Sequence, residues 1–122
     1  MPILTVELVV ADREQLRTDL ARRLADAAGR LFGSAPGETW VRVHTLSAAD
    51  YAENDIDDPE GWGSVFVTVL KGRRPSGEAL KEEVRTLTET VARVTGRPPD
   101  RVHVLYEPDA SGRIAFGGVL KE

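Results

Sequence analysis

A proline follows the initiator Met1 directly, and this position could give the chain a base. Pro2 is small enough for Met1 to be trimmed, which would leave a secondary amine at the N-terminus. A free α-amino group has a pKa of about 7.7–8.0, and nearby apolar groups or cations lower it. Such an amine is partly unprotonated at neutral pH and can accept a proton from carbon. The sequence therefore predicts a general base at Pro2.

A basic turn follows the apolar run Val65–Leu70 and could bind an acid. It contains Lys71, Arg73 and Arg74. An arginine side chain stays charged and can bind a carboxylate through two parallel hydrogen bonds. Arg73 and Arg74 are therefore candidates for binding an anion. Two histidines and scattered acids form no metal-ligand cluster, so we expect no metal ion and no cofactor.

The composition excludes several classes of partner and chemistry. The chain has 122 residues, of which 41% are hydrophobic and 30% charged, as in an ordinary globular domain. A net charge of −4 argues against nucleic acid as the main partner. The absence of cysteine excludes disulfides and thiolate chemistry. Without a signal-peptide pattern or a long apolar run, we expect a cytoplasmic location and no membrane partner.

Hydrophobic periodicity predicts the same strand–helix–strand unit twice. Asp12 and Gln15 resemble a capping box for the first helix, and Ser76 could cap the second. The second-unit strands lie 61 residues after their first-unit counterparts, so that Val6 corresponds to Val67. The predicted strands are Ile3–Val10, 40–44, Val65–Leu70 and Val102–Tyr106.

Two such units predict an α/β (α+β) fold in a single domain, 1–122, with pseudo-repeats at about 2–60 and 63–122. We expect a four-stranded mixed sheet with both helices on one face, followed by a short C-terminal β-ribbon. The other sheet face then needs a cover, which self-association would supply. The acidic connector 47–63 is interpreted as a loop or a short hairpin.

With Pro2, the doubled β-α-β pattern and the tail Phe116-Gly117-Gly118, the chain resembles the tautomerase superfamily. It is most similar to a fused, double-length relative of 4-oxalocrotonate tautomerase. The motifs Met1-Pro2-Ile3 and Leu70-Lys71-Gly72-Arg73 carry the resemblance together with this tail. The resemblance implies the fold described above and, because fused relatives are typically trimers, a homotrimer.

The resemblance also implies roles for individual residues. In this superfamily the N-terminal proline is the general base, which Pro2 matches. Arginines bind the substrate carboxylate, and the C-terminal ribbon supplies an apolar wall near the proline. In fused relatives the proline of one half works with residues of the other half, so Arg42 would flank the inactive site or be kept for structure. The residues implied to contact substrate are Arg73, Arg74, His103, Arg42, Ile114 and Phe116.

Three functions stay open at this point. The leading one is a cofactor-independent tautomerase, an isomerase of small enol or 2-keto acids. The second is a hydratase or dehalogenase of unsaturated acids, which resembles relatives that use a C-terminal acid; here Glu107 and Asp109 are out of register with that acid. The third is a non-catalytic fused β-α-β binding module, because a fold alone does not determine function.

Overall fold

The chain folds as two β-α-β units followed by a short β-ribbon in the computed structural model, which describes residues 2–12, 14–57 and 63–122. Short 3-10 turns lie at Ala48–Asp50 and Pro99–Arg101. The first unit contains β1 (Ile3–Val10), α1 (Leu20–Phe32) and β2 (Trp40–Ser47). The second unit contains β3 (Val65–Leu70), α2 (Gly77–Thr95) and β4 (Val102–Tyr106), and the ribbon contains β5 (Ala115–Phe116) and β6 (Val119–Leu120).

The four long strands form one mixed sheet in the order β2-β1-β3-β4. Within each unit the strands are parallel, whereas β1 and β3 pair antiparallel at the centre. Val6 lies opposite Val67 in this central ladder. Thr5 pairs with Arg42 in the first unit and Phe66 pairs with His103 in the second, again with an offset of 61 residues. The predicted fold class is therefore confirmed.

Alternation along the strands creates the core. Leu4, Val6 and Leu8 of β1 are buried, as are the alternate valines of β3. They pack against Leu24 of α1 and Leu87 of α2. Both helices contact each other and the sheet, so they cover the same face. Burying one aliphatic side chain of this size stabilises the folded protein by about 1.5–3 kcal/mol. The packed layer between the sheet and the helices therefore fixes the strands, and with them the side chains on the opposite face of the sheet.

The helix boundaries correct one prediction. α1 begins at Leu20 and not near Asp12, because Glu14 Oε1 accepts a hydrogen bond from the Ala11 amide at 2.9 Å and the chain turns there first. Gly33 ends α1 in the left-handed conformation at φ 64°, which glycine adopts without a steric penalty. Ser76 precedes α2 as predicted, although its side chain makes no capping hydrogen bond.

The sheet face opposite the helices, called here the open face, carries the alternate side chains. One row across it contains Trp40, Ile3 and Leu70. A second row, at the other end of the same strands, contains His44, Glu7, Phe66 and His103. Ser47, the first residue of the acidic connector, ends β2, and the rest of the described connector forms a 3-10 turn and no further strand. Among the described residues, no helix is long and apolar enough to cross a membrane.

Candidate active site

A cavity of about 650 Å³ opens on the open face where β1 begins. Both units and the C-terminal segment contribute to it, since the antiparallel β1/β3 pairing brings the start of β1 beside the end of β3. Among the described residues, the lining combines four apolar side chains, two hydroxyl groups, two cations and one acid. These residues are Ile3, Thr5, Trp40, Arg42, Thr68, Leu70, Glu107, Arg113 and Ile114.

The two arginines of the cavity hydrogen-bond to neutral oxygens. Arg42 donates from Nη2 to Thr5 Oγ1 at 3.1 Å. Arg113 donates from Nη1 to the backbone oxygen of Asp109 at 2.8 Å. Within the described ranges neither arginine forms an ion pair, whereas Arg85 and Arg97 each pair with glutamate. The positive charge of Arg42 and Arg113 is therefore available to an anion in the cavity.

The apolar wall is built by β2 and the C-terminal ribbon. The Trp40 indole donates from Nε1 to the Gly37 carbonyl oxygen at 2.8 Å, which fixes its orientation. Phe116 packs edge-on against the Trp40 ring, with centroids 5.4 Å apart and planes at 86°. Ile114 lines the cavity itself, and its carbonyl accepts a hydrogen bond from Lys121. Of the two predicted wall residues, Ile114 faces the cavity and Phe116 supports the wall from behind.

Pro2 directly precedes the cavity residue Ile3 in the chain. It is buried, and its carbonyl oxygen accepts a hydrogen bond from the Trp40 amide at 3.1 Å. Ile3, the next residue, lines the cavity. The start of β1 is thus tied to β2, and the backbone nitrogen of Pro2 lies one residue from the lining.

The other predicted substrate-binding residues lie elsewhere on the same chain. Arg73 is exposed in the turn after β3 and does not line the cavity. The Arg74 guanidinium pairs with Asp109 at 3.9 Å, and its amide donates to the same carboxylate at 3.0 Å. His103 packs against Phe66 at the opposite end of the sheet, with ring centroids 5.3 Å apart. Within one chain, Arg42 and Ile114 therefore line the cavity and Pro2 lies one residue from it. Arg73, Arg74 and His103 lie outside the cavity.

Seven of the nine described lining residues were not predicted from the sequence, and three of these carry a charge or a large ring. Trp40 lies two residues before Arg42 on the same strand, so alternation places both on one face. Arg113 precedes Ile114 and enters the cavity only through the turn geometry of the C-terminal segment. Glu107 follows β4, and the sequence predicts that it is out of register with the C-terminal acid of the hydratase-like relatives. It lies two residues after Leu105, however, and therefore faces the same side of the sheet, the open face. Strand parity is the signal that identifies Trp40 and Glu107.

A polar cluster lies on the helix side of the same sheet end. Lys71 Nζ pairs with Glu83 at 2.8 Å and lies 4.8 Å from the centre of the Phe32 ring. Tyr106 donates its hydroxyl hydrogen to the same glutamate. Burial, and then the hydrogen bond to Glu83, raise the pKa of the Tyr106 phenol above its ordinary value. The cluster holds the end of β3 against both helices, at the point where the Arg73 turn begins.

The turn after β3 and the C-terminal segment are joined by backbone hydrogen bonds. Ala110 donates to Lys71 at 2.8 Å and Ser111 donates to Gly72 at 3.1 Å. A Cβ atom on the buried Gly72 would lie 2.7 Å from Lys121 Cε, so the two segments approach closely at this glycine. These contacts place Arg113 and Ile114 over the cavity. Across the described ranges, no group of three or more His, Cys, Asp or Glu residues could hold a metal ion.

Comparison with known sequences gives a match in the second half of the chain. A family model described as "Tautomerase enzyme" matches residues 65–122. A probable tautomerase from Lactiplantibacillus plantarum is 37% identical over 57 residues, which cover 47% of this chain and 86% of that relative. The family match covers β3, α2, β4 and the ribbon.

Comparison with solved structures extends the similarity to the whole chain. The macrophage migration inhibitory factor of Oncomelania hupensis has a TM-score of 0.73 at 15% identity, covering 98% of this chain and 97% of its own. A fused 4-OT, described as a wild-type symmetric trimer, has a TM-score of 0.68 at 17% identity and covers 98% and 94%. At these identities the likeness concerns the fold, and it includes the first unit as well as the second.

Proposed function

This chain belongs to the tautomerase superfamily, and we propose that it is a cofactor-independent tautomerase of small enol or 2-keto acids. Family membership supports tautomerase-type chemistry and hence an isomerase. The observation that carries the finer proposal is the cavity beside Pro2, in which the Arg42 and Arg113 guanidinium groups lie among apolar side chains without an ion-pair partner in the described ranges.

In this proposal, Pro2 is the general base. Removal of Met1 converts the backbone nitrogen of Pro2 into a secondary amine. Its buried position and the neighbouring guanidinium groups disfavour the protonated form, so the free amine is present near neutral pH. The amine takes a proton from the substrate and returns it to another atom of the same molecule, which is a proton transfer within one substrate.

Arg42 and Arg113 bind the substrate and stabilise the developing charge. Removing a proton next to a carbonyl group builds negative charge on the enolate oxygen, and a fixed cation in a poorly hydrated site stabilises that charge strongly. One guanidinium can hold the carboxylate bidentately while the other faces the enolate oxygen. Trp40, Ile3 and Ile114 exclude water from the reacting atoms.

We also propose that the protein assembles as a homotrimer. Exposed apolar side chains lie on the open face and the ribbon: Leu105 is 63% exposed, Val119 72% and Leu120 52%. A neighbouring protomer would cover such a surface. In this assembly, Arg73, Arg74 or His103 of an adjacent protomer would reach the substrate.

The test of the general base is Pro2→Ala. We expect the rate of ketonisation of phenylenolpyruvate, followed by ultraviolet absorbance, to fall about 10²- to 10⁴-fold. Pro36→Ala, at an exposed proline before β2, is the matched control and should keep full activity. Intact mass must show that Met1 is absent from all three proteins. Full activity of trimmed Pro2→Ala would refute the role of Pro2, and retained Met1 in an active wild-type protein would do the same.

Addition of water to an unsaturated acid is a second candidate, and one observation favours it. The Glu107 carboxylate lines the cavity, where it could activate a water molecule. Halide release from 3-chloroacrylate, measured beside ketonisation, distinguishes the two reactions. A hydratase of this kind should lose halide release in Glu107→Gln, whereas a tautomerase should keep its ketonisation of a monocarboxylate.

A further inference from the structure

Glu107 is an acid in a cavity that otherwise attracts anions. Its amide donates to the Val69 carbonyl oxygen at 2.9 Å, which continues the parallel β3/β4 pairing one residue beyond Tyr106. Because the Tyr106 side chain turns to the helix side and bonds Glu83, the next side chain turns to the open face. Glu107 lines the cavity there, together with Arg42 and Arg113.

The Glu107 carboxylate is not neutralised by either cavity arginine. In the part of the chain that the structure describes, it forms no ion pair, and Arg42 and Arg113 bond to neutral oxygens instead. Among the described residues of this chain, the lining therefore holds two positive charges and one negative charge. One carboxylate of a substrate can pair with the two guanidinium groups, whereas a second carboxylate in the same cavity would face the carboxylate of Glu107.

The uncharged part of the lining complements this charge pattern. Ile3, Trp40, Leu70 and Ile114 are apolar and surround the space between the charged groups. An alkyl or aryl group can be buried against them, whereas a carboxylate there would lose its hydration without gaining a partner. Charge and apolarity thus favour the same kind of substrate.

We propose that Glu107 is a specificity-determining residue that restricts the cavity to monocarboxylates whose far end is uncharged and apolar. This inference rests on the proposed function, because it takes the same cavity as the substrate site. Glu107 acts here on the choice of substrate, so its loss should alter KM for a second class of acid more than kcat for the first.

Two probes that differ by one charge test the proposal: the enol form of oxaloacetate and that of its 4-monomethyl ester. The wild-type protein should prefer the monoester. Glu107→Gln should lower this preference in kcat/KM about tenfold, mainly through KM for the diacid. Glu107→Asp keeps the charge and should keep the preference. Glu78→Gln, on the exposed first turn of α2, is the matched control and should leave the ratio unchanged.

Calorimetric binding of succinate and monomethyl succinate separates failure of this inference from failure of the proposed function. If neither enol is turned over but Glu107→Gln gains affinity for succinate alone, the proposed function fails and the selectivity of the cavity stands. If ketonisation proceeds and both ratios stay unchanged in Glu107→Gln, the proposal for Glu107 is overturned. It is equally overturned if the wild-type protein binds neither succinate nor its monoester.

Discussion

The two ends of the open face share one backbone arrangement and differ in what they contain. The cavity end is the row of Trp40, Ile3 and Leu70, and the histidine end is the row of His44, Glu7, Phe66 and His103. Both are built from a parallel strand pair with the same register, offset by 61 residues. Topology is therefore equal at the two ends, and at the cavity end the described residues surround a space of about 650 Å³.

Side-chain size differs at one pair of equivalent positions. Phe66 packs against the rings of Tyr51 and His103 at the histidine end, with 5.8 and 5.3 Å between centroids. The equivalent residue in the first unit is Thr5, whose small side chain leaves room and accepts a hydrogen bond from Arg42. A binding site on a duplicated scaffold thus depends more on the size and charge of a few side chains than on the backbone.

The segments that cover the two ends also differ. The described part of the connector covers the histidine end, where Glu53 accepts hydrogen bonds from Tyr51 at 2.7 Å and from Arg101 at 3.3 Å. The C-terminal ribbon covers the cavity end and brings Arg113 and Ile114. The polar side chains of the connector bond to one another and to Arg101, whereas the C-terminal segment leaves the positive charge of Arg113 available to an anion.

Thr5→Phe should make the cavity end resemble the histidine end and have the largest effect. The ring would occupy the space beside Arg42 and remove its hydrogen-bond acceptor, so kcat/KM for phenylenolpyruvate should fall by about 100-fold or more. Thr45→Phe, at an exposed position of β2 outside the lining, is the control. An active Thr5→Phe protein with a native circular dichroism spectrum would refute the placement of the substrate.

Arg42→Ala should have an intermediate effect. Hydrogen bonds to charged groups contribute about 1.5–3 kcal/mol, so KM should rise roughly 10- to 100-fold with a smaller change in kcat. Arg85→Ala is the matched control, because Arg85 lies exposed on α2 between Glu82 and Glu89. Equal KM values in the wild-type and Arg42→Ala proteins would show that Arg42 supports the sheet only.

Tyr106→Phe should have the smallest effect, on stability and not on the choice of substrate. The equivalent position in the first unit is Thr45, which lacks this cluster. Losing the hydrogen bond to Glu83 should lower the free energy of unfolding at pH 7 by about 1–2 kcal/mol.

The pH dependence of Tyr106→Phe follows from the raised pKa of the phenol in the folded protein. The contribution of the neutral phenol is complete below the pKa of the unfolded chain, about 10, and is lost as the pH rises toward the higher folded pKa. Urea unfolding should therefore show a difference in the free energy of unfolding between the wild-type and variant proteins that is smaller at pH 11 than at pH 7. An equal difference at both pH values would contradict the raised pKa of the Tyr106 phenol.

The four strands and the mixed sheet were predictable from the sequence, whereas the order of the strands and one helix start were not. The apolar pattern of Val65–Leu70 and the 61-residue offset identify the repeated strands, because side chains of period two must place one face in the core. Asp12 has the chemistry of a helix cap, but Glu14 bonds the Ala11 amide first and α1 begins only at Leu20. Local capping propensity is weak against a competing local hydrogen bond.

Two of the described lining residues, Arg42 and Ile114, were candidates from the sequence, although the resemblance placed Arg42 beside the inactive site or in a structural role. Arg113 enters the cavity through the segment that Ala110 and Ser111 anchor to the turn after β3. Arg73, Arg74 and His103 remain predictions that need an adjacent protomer. No pattern within one chain reports on a contact between chains.

The central β1/β3 ladder has a consequence for the order of folding. Each unit closes over its own helix, but the pairing of Val6 with Val67 joins segments that are far apart in the chain, and loop-closure entropy makes such contacts late. The cavity takes its lining from both units, so it exists only after they have docked. A bound acid would stabilise the docked state by mass action and would slow unfolding without accelerating the formation of either unit.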